Sequence, residues 1–311
     1  MASLERVSEI VWKQCIRAKK AEEALIITDP AGERLRIGNS LLKAATCSCR
    51  LMKMKPTGMH GREPEPGVAK AMKGFDVVLA PTAYSITHTK ATAAAIGNGA
   101  RVATMPGISI GMFRRAIPVD YAAMSATCER LRRLLANAAS VSVTTVAGTD
   151  IAMELEPGRK VSSDNGIVDR PGKLNNLPAG EVAVAPMEGT ANGIIVFDLS
   201  SMDQRMRRPF RVEVRGGHAV SCGNAKLWRS ISSVANGTNL AELGIGTNPK
   251  ARITGKILED EKVMGTAHIA FGTSAELGGK IQTSIHLDSV FARPTIMLDG
   301  KAIIGDGKFL F

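Results

Sequence analysis

Hydrophobic positions in the first third of the chain show two textures, stripes at helical spacing and short unbroken apolar runs. Leu4, Val7, Val11, Cys15 and Ala18 fall on one helical face and predict a helix over 4–20. The run Ala24-Leu25-Ile26-Ile27-Thr28 ends in Asp29-Pro30-Ala31-Gly32, which predicts a buried strand and a turn. A helix over 37–45, a strand over 51–54 and a loop rich in Pro, Gly and Glu over 56–67 follow. Next come a helix over 68–73 and a strand over 75–81, whose continuous apolar character suits a parallel sheet covered on both faces. A helix over 90–98 and a strand over 101–105 repeat the unit. Residues 1 to about 115 therefore read as a doubly wound α/β arrangement, a parallel sheet with Rossmann-like alternation.

The texture changes after a helix predicted over 118–137. Met124, Cys128, Leu131, Leu134 and Leu135 form its apolar stripe, and Arg130, Arg132 and Arg133 its solvated face. Residues 140–146 and 150–155 then alternate with period two around Ala147-Gly148-Thr149, the pattern of a hairpin. The expected organisation is an α/β domain over 1–138 and a strand-rich α+β domain over 139–311.

Composition narrows the class. A chain of 311 residues has room for two domains, and 44% hydrophobic with 22% charged residues is the balance of a globular protein. Its five cysteines are odd in number and scattered, which fits reduced thiols in a cytoplasmic protein better than a disulfide framework. Cys47 and Cys49 form a C-x-C that lacks the second pair of a zinc finger. The first charges come before any apolar stretch, and no run of eighteen apolar residues occurs, so a soluble chain without a membrane partner is expected. The net charge of +11 invites a nucleic-acid reading, but the basic groups are dispersed over 13–20, 130–133 and 205–215. With two Trp and two Tyr for stacking, the excess reads as solvated surface, and no nucleic-acid partner is expected. No G-x-G-x-x-G opens the first βα unit, so no nucleotide cofactor is expected either.

Polar chemistry gathers in the second half. The stretch Glu259-Asp260-Glu261-Lys262-Val263-Met264-Gly265-Thr266-Ala267-His268 precedes His286-Leu287-Asp288. On a strand, His286 and Asp288 project to one side, as metal ligands do. Glu181 stands alone in the apolar run Gly180-Glu181-Val182-Ala183-Val184, and Glu242 in the apolar, glycine-rich stretch Leu240-Ala241-Glu242-Leu243-Gly244-Ile245-Gly246-Thr247-Asn248-Pro249. A lone carboxylate is costly to bury without a partner, and a cation would serve. Glu181, Glu242, His268, His286 and Asp288 are an inventory for two divalent ions, or for one ion in a two-His-one-carboxylate site with two spare acids. Spacing leaves both open. His88, in the loop after the 75–81 strand, and Asn248 are the candidate substrate contacts, although His88 beside a helix-capping Thr87 or Thr89 has a plain alternative as an incidental residue. His60 and His218 have no matching partners and read as surface residues.

These segments carry a family resemblance. The segments from Asn176 to Pro186, from Glu242 to Pro249, from Asp260 to Gly272 and from His286 to Asp288 resemble, in this order, the motifs of the thermophilic metallo-aminopeptidases, aminopeptidase T and aminopeptidase S. The resemblance covers most of residues 140–311. It implies a binuclear metallopeptidase with Glu181, Glu242, His268, His286 and Asp288 at the metals, and a homodimer. On this reading zinc, cobalt or manganese activates a water that attacks the amide of a short peptide or other small substrate. Glu181 or Glu242 acts as base, and Lys262 steadies an oxyanion unless it merely pairs with Asp260 or Glu261. One position departs from the family: where its peptidases carry a Tyr seven residues past the histidine of G-T-x-H, this chain has Ala275. The same superfamily holds proteins similar to the 2,5-dihydroxypyridine dioxygenases, which open an aromatic ring with one Fe(II). His268, His286 and Asp288 would be their facial triad. The expectation is thus an amide hydrolase first, a ring-cleaving dioxygenase second, and a non-catalytic metal-binding or assembly protein third.

Overall fold

The computed structural model describes residues 2–311. The chain forms two compact units, Met1–Ser125 with Asp164–Ala179, and Ala126–Ser163 with Gly180–Phe311. Among the described residues no helix is long and apolar enough to cross a membrane.

The first unit is built on a five-stranded parallel sheet. Its order is Ser48–Lys53, Glu23–Thr28, Val77–Ala80, Arg101–Thr104 and Leu174–Asn176. The run predicted as a doubly covered strand is buried at every position in Val77–Ala80, and so is Arg101–Thr104, while Glu23–Thr28 is buried at all but Glu23. Leu25, Ile27, Val78 and Ala80 from the sheet pack with Val68, Met72, Ala91 and Ala95 from the helices Pro66–Met72 and Lys90–Gly97. The structure differs from the pattern in three places. The predicted first helix is α-helical over Leu4–Ile10 and widens to a π-helical turn over Val11–Ile16, which buries Val11, Trp12, Cys15 and Ile16 together before Arg17 ends it at φ 53°. The second helix runs Gly32–Lys43 because Pro30 and Ala31 alone make the turn. A helix at Ile110–Ala116, capped by Ser109, had no sequence counterpart.

The second unit is strand-rich, as its alternating pattern predicts. An eight-stranded antiparallel sheet contains the expected hairpin, Ser140–Thr144 against Asp150–Glu154, in the register Ser140↔Glu154 to Thr144↔Asp150. A seven-stranded sheet carries, side by side, Glu181–Val184, Leu240–Gly246, Thr266–Gly272 and His286–Ala292. Phe197 of the first sheet meets Phe291 of the second at 6.0 Å between ring centroids, tying both to one core. An α/β unit with a parallel sheet and a strand-rich second unit are the fold class that the sequence pattern describes.

Candidate metal centre

Four adjacent antiparallel strands bring the polar residues to one face, and register accounts for it. Side chains directly opposite across a ladder share a face, as do residues two apart on a strand. Glu181 lies opposite Gly246, Ala183 opposite Gly244, and Gly244 opposite His268. Glu242 lies opposite Ala270, which lies opposite Asp288, and Gly272 lies opposite His286. Glu181, Glu242, His268, His286 and Asp288 therefore stand on one face, over a floor of Ala183, Gly244, Gly246, Ala270 and Gly272. The floor has to be small. A Cβ on Gly244 would lie 2.0 Å from His268 Nε2, and one on Gly272, at φ +123°, 2.2 Å from the carbonyl of Ile285. A bulge between Leu240 and Glu242 shifts the ladder just ahead of the glutamate.

The side chains form two groups whose ligand atoms lie within 4.8 Å of one another, Glu242–His286–Asp288 and Glu181–Glu261–His268. Glu242 joins them. One carboxylate oxygen is 2.8 Å from His286 Nε2, and the other is 3.3 Å from His268 Nε2. Asp288 Oδ1 approaches His286 Nε2 at 3.5 Å, and Glu181 Oε2 approaches His268 Nε2 at 3.7 Å. On its far side the His286 ring donates from Nδ1 to the carbonyl of Thr273 at 2.9 Å. That bond fixes the ring's orientation and turns Nε2 toward the acids, as the outer hydrogen bond of a metal-binding histidine does.

Lys262 was expected to steady an oxyanion, with an ion pair to Asp260 or Glu261 as the alternative. Its ammonium, fully buried, is 2.6 Å from Glu261 Oε1 and 2.7 Å from Glu181 Oε1. Asp260 is instead occupied with backbone, accepting from the amides of Thr254 and Gly255 at 2.7 and 2.8 Å. Glu261 is the member of the centre that sequence reasoning left out of the ligand set. It sits at the end of the short helix Ile257–Asp260, where an acid beside a lysine reads as a surface pair. Of the two candidate substrate contacts, Asn248 is buried, and its side-chain oxygen accepts from the amides of Lys250 and Ala251. His88 is exposed in the first unit, just ahead of Thr89, which caps the helix Lys90–Gly97 by accepting from the Thr92 amide.

Electrostatics show what the face lacks. Burial disfavours the charged form of each imidazole, yet the surrounding carboxylates overcome it. His268 is raised to about 9, mainly by its hydrogen bond to Glu242 and the charge of Glu181, and His286 rises well above its ordinary value beside Asp288 and Glu242. Burial works to raise Glu242, and the bonds and charges of the two histidines outweigh it, holding that carboxyl below the ordinary range. Glu261 is pushed up to about 8, first by burial and then by Glu181 and Asp288, although Lys262 pulls the other way. Four acids and one lysine leave an excess of negative charge that, in the ion-free chain, the imidazoles answer by holding protons. Glu181 Oε2 and His268 Nδ1 are buried with no hydrogen-bond partner. Two imidazoles, several carboxylates and an unanswered buried oxygen fit a divalent cation, and the donors suit an iron-group metal.

The comparisons with known proteins decide the lineage. The family model described as 2,5-dihydroxypyridine 5,6-dioxygenase (NicX) matches residues 31–311, all but the first thirty. The chain belongs to the 2,5-dihydroxypyridine 5,6-dioxygenase family. A curated 2,5-dihydroxypyridine 5,6-dioxygenase of Pseudomonas putida is 26% identical over 190 residues, 55% of this chain and 54% of the relative, so the match spans about half of that protein's length. Among solved structures, the 2,5-dihydroxypyridine dioxygenase from Pseudomonas putida KT2440 superposes with a TM-score of 0.84 at 19% identity, covering 100% of this chain and 98% of its own. Wild-type AmpT from Thermus thermophilus superposes with a TM-score of 0.71 at 15% identity, covering 99% of each chain. Both branches named by the motif resemblance therefore share this fold. The expected reaction is corrected. Family model and curated relative both name a dioxygenase, which overturns the amide-hydrolase, aminopeptidase-like expectation. Ala275, exposed in a short turn where the peptidase resemblance calls for a phenol, was the residue that already disagreed.

Proposed function

We propose that the chain is an Fe(II)-dependent dioxygenase that opens the ring of a dihydroxypyridine-type aromatic. The observation that carries the reading is the family match over residues 31–311, a span that includes Glu181, Glu242, Glu261, Lys262, His268, His286 and Asp288. His268, His286 and Asp288 are the two-histidine, one-carboxylate set that would hold the iron. When bound, iron supplies the one-electron chemistry that dioxygen needs to react with a closed-shell aromatic ring.

The chain's own residues do the rest. The Thr273 carbonyl holds the His286 ring, and the gap above Gly244 admits the His268 ring, so both Nε2 atoms face Glu242. Glu181 Oε2, buried and unpartnered, is the acceptor for the proton of a substrate hydroxyl. The glycines beneath the acids give their space to the His268 ring and to the backbone of Val263 and Ile285, which packs the centre from below.

The test is anaerobic loading with ferrous iron, then addition of 2,5-dihydroxypyridine and ¹⁸O-labelled dioxygen. One dioxygen should be consumed per substrate, with both labelled atoms in the ring-opened product, and a peptide anilide should be left intact. Iron-loaded protein that takes up no oxygen with this substrate would sink the proposal.

A further inference from the structure

The centre contains two groups of ligand atoms but has filled one of them itself. Within Glu181–Glu261–His268 the ammonium of Lys262 lies 2.7 and 2.6 Å from the two glutamates, with no part of its side chain exposed. Backbone fixes it there. The Lys262 amide donates to Glu259 and its carbonyl accepts from Asn248, while Met264 donates back to Asn248. Gly246 makes the approach possible, because a Cβ there would lie 2.1 Å from the carbonyl of Val263. A buried lysine held at both backbone ends and bonded to two carboxylates differs from a surface ion pair, which pays entropy to stay formed.

We propose that Lys262 is a resident cation that occupies the second ion position, so that this centre takes one divalent ion, and that removing the ammonium opens Glu181 and Glu261 to another. The inference rests on the reading of the face as a metal centre. A dication drawn to Glu181 and Glu261 would stand within a few ångströms of a positive charge bonded to the same oxygens, and the repulsion excludes it. Without the ammonium, the carboxylates of Glu181 and Glu261 remain on a fixed scaffold, an oxygen donor pair that accepts manganese or zinc. Lys262 thereby acts as a charge-positioning residue that sets ion number and leaves Glu181 tied on one oxygen and open on the other.

The experiment counts ions. Chain freed of metal by chelator is titrated calorimetrically with Mn²⁺ or Zn²⁺, dialysed and analysed for bound metal. The wild type should saturate at one ion even in excess metal, and Lys262→Arg, which keeps a cation, should do the same. Lys262→Met should saturate at two, and adding Glu261→Gln to it should return the count to one. A wild type that loads two ions overturns the inference without any variant, and so does a folded Lys262→Met that loads one. A wild type that loads none, or a His286→Ala variant that still loads one, instead overturns the metal-centre reading beneath it. Circular dichroism on each variant verifies the fold.

Discussion

At Gly244 one missing methyl decides whether His268 can stand where it does. The imidazole crosses directly over the glycine, and a Cβ would overlap Nε2, Cε1 and Cδ2 at 2.0, 2.1 and 2.8 Å. Gly244→Ala should leave the sheet formed and push the ring away from Glu242. The expected outcome is a loss of Mn²⁺ affinity of about tenfold or more, the scale on which ligand-orienting interactions act. Unchanged affinity by calorimetry, in a variant with unchanged circular dichroism, would mean that the His268 ring is not needed at the ion. The sequence made much of the centre legible for a simple reason. Glu181 and Glu242 are acids in apolar strands, and His286 and Asp288 keep strand spacing. Glu261 was illegible because its role comes from packing. Only the fold turns it inward beside Lys262, and an acid next to a lysine at a helix end has a commoner explanation on the surface.

The element that most directly governs the centre is the loop between the strands Thr266–Gly272 and His286–Ala292, which provides the Thr273 carbonyl to His286. Its own bonds run from Thr273 to Ile285 and from Ser274 to Ile281, and Lys280 donates to Glu188. Glu188 is held in turn by Arg159, a buried guanidinium that also reaches Glu156 and the carbonyl of Pro186. Arg159→Ala would strand Glu188 and Pro186 together. Breaking a fully buried pair costs about 3–5 kcal/mol, but Glu156 is half exposed, so a loss of about 2–3 kcal/mol is expected. Urea unfolding measures it, and a change under about 0.5 kcal/mol, the usual range of surface substitutions, would show that the network does not hold the loop. Elements with local signals were legible at this scale, such as the hairpin at 140–154 and the apolar strands Val77–Ala80 and Arg101–Thr104. Leu174–Asn176 was not. Three residues with one buried side chain have no period to read, and they join Arg101–Thr104 only through a pairing some seventy residues distant in sequence.

Over the whole molecule, fold and reaction separate: AmpT and the dioxygenase share this architecture, so chemistry has to be read from the centre and the family rather than the topology. What the centre imposes on the molecule is a stability debt in the absence of metal. Glu181, Glu242 and Asp288 stand on one face of a sheet with Glu261 beside them, and in the ion-free chain they are offset by Lys262 and by protons held on His268, His286 and Glu261. An ion that binds this face and not the unfolded chain should stabilise the second unit by mass action. At a free concentration one hundred times its dissociation constant the gain is about 2.7 kcal/mol. For a unit of this size each kcal/mol is worth about 2–4 °C, so the unfolding transition should rise by about 5–11 °C over the chelator-treated chain. Differential scanning calorimetry with Mn²⁺, which avoids oxidation of iron, measures the shift. His286→Ala should flatten the response, because it removes a ligand while leaving the acids in place. A wild-type transition indifferent to both chelator and metal would mean that the four carboxylates are balanced within the protein, and the face would then have no physical need of the ion.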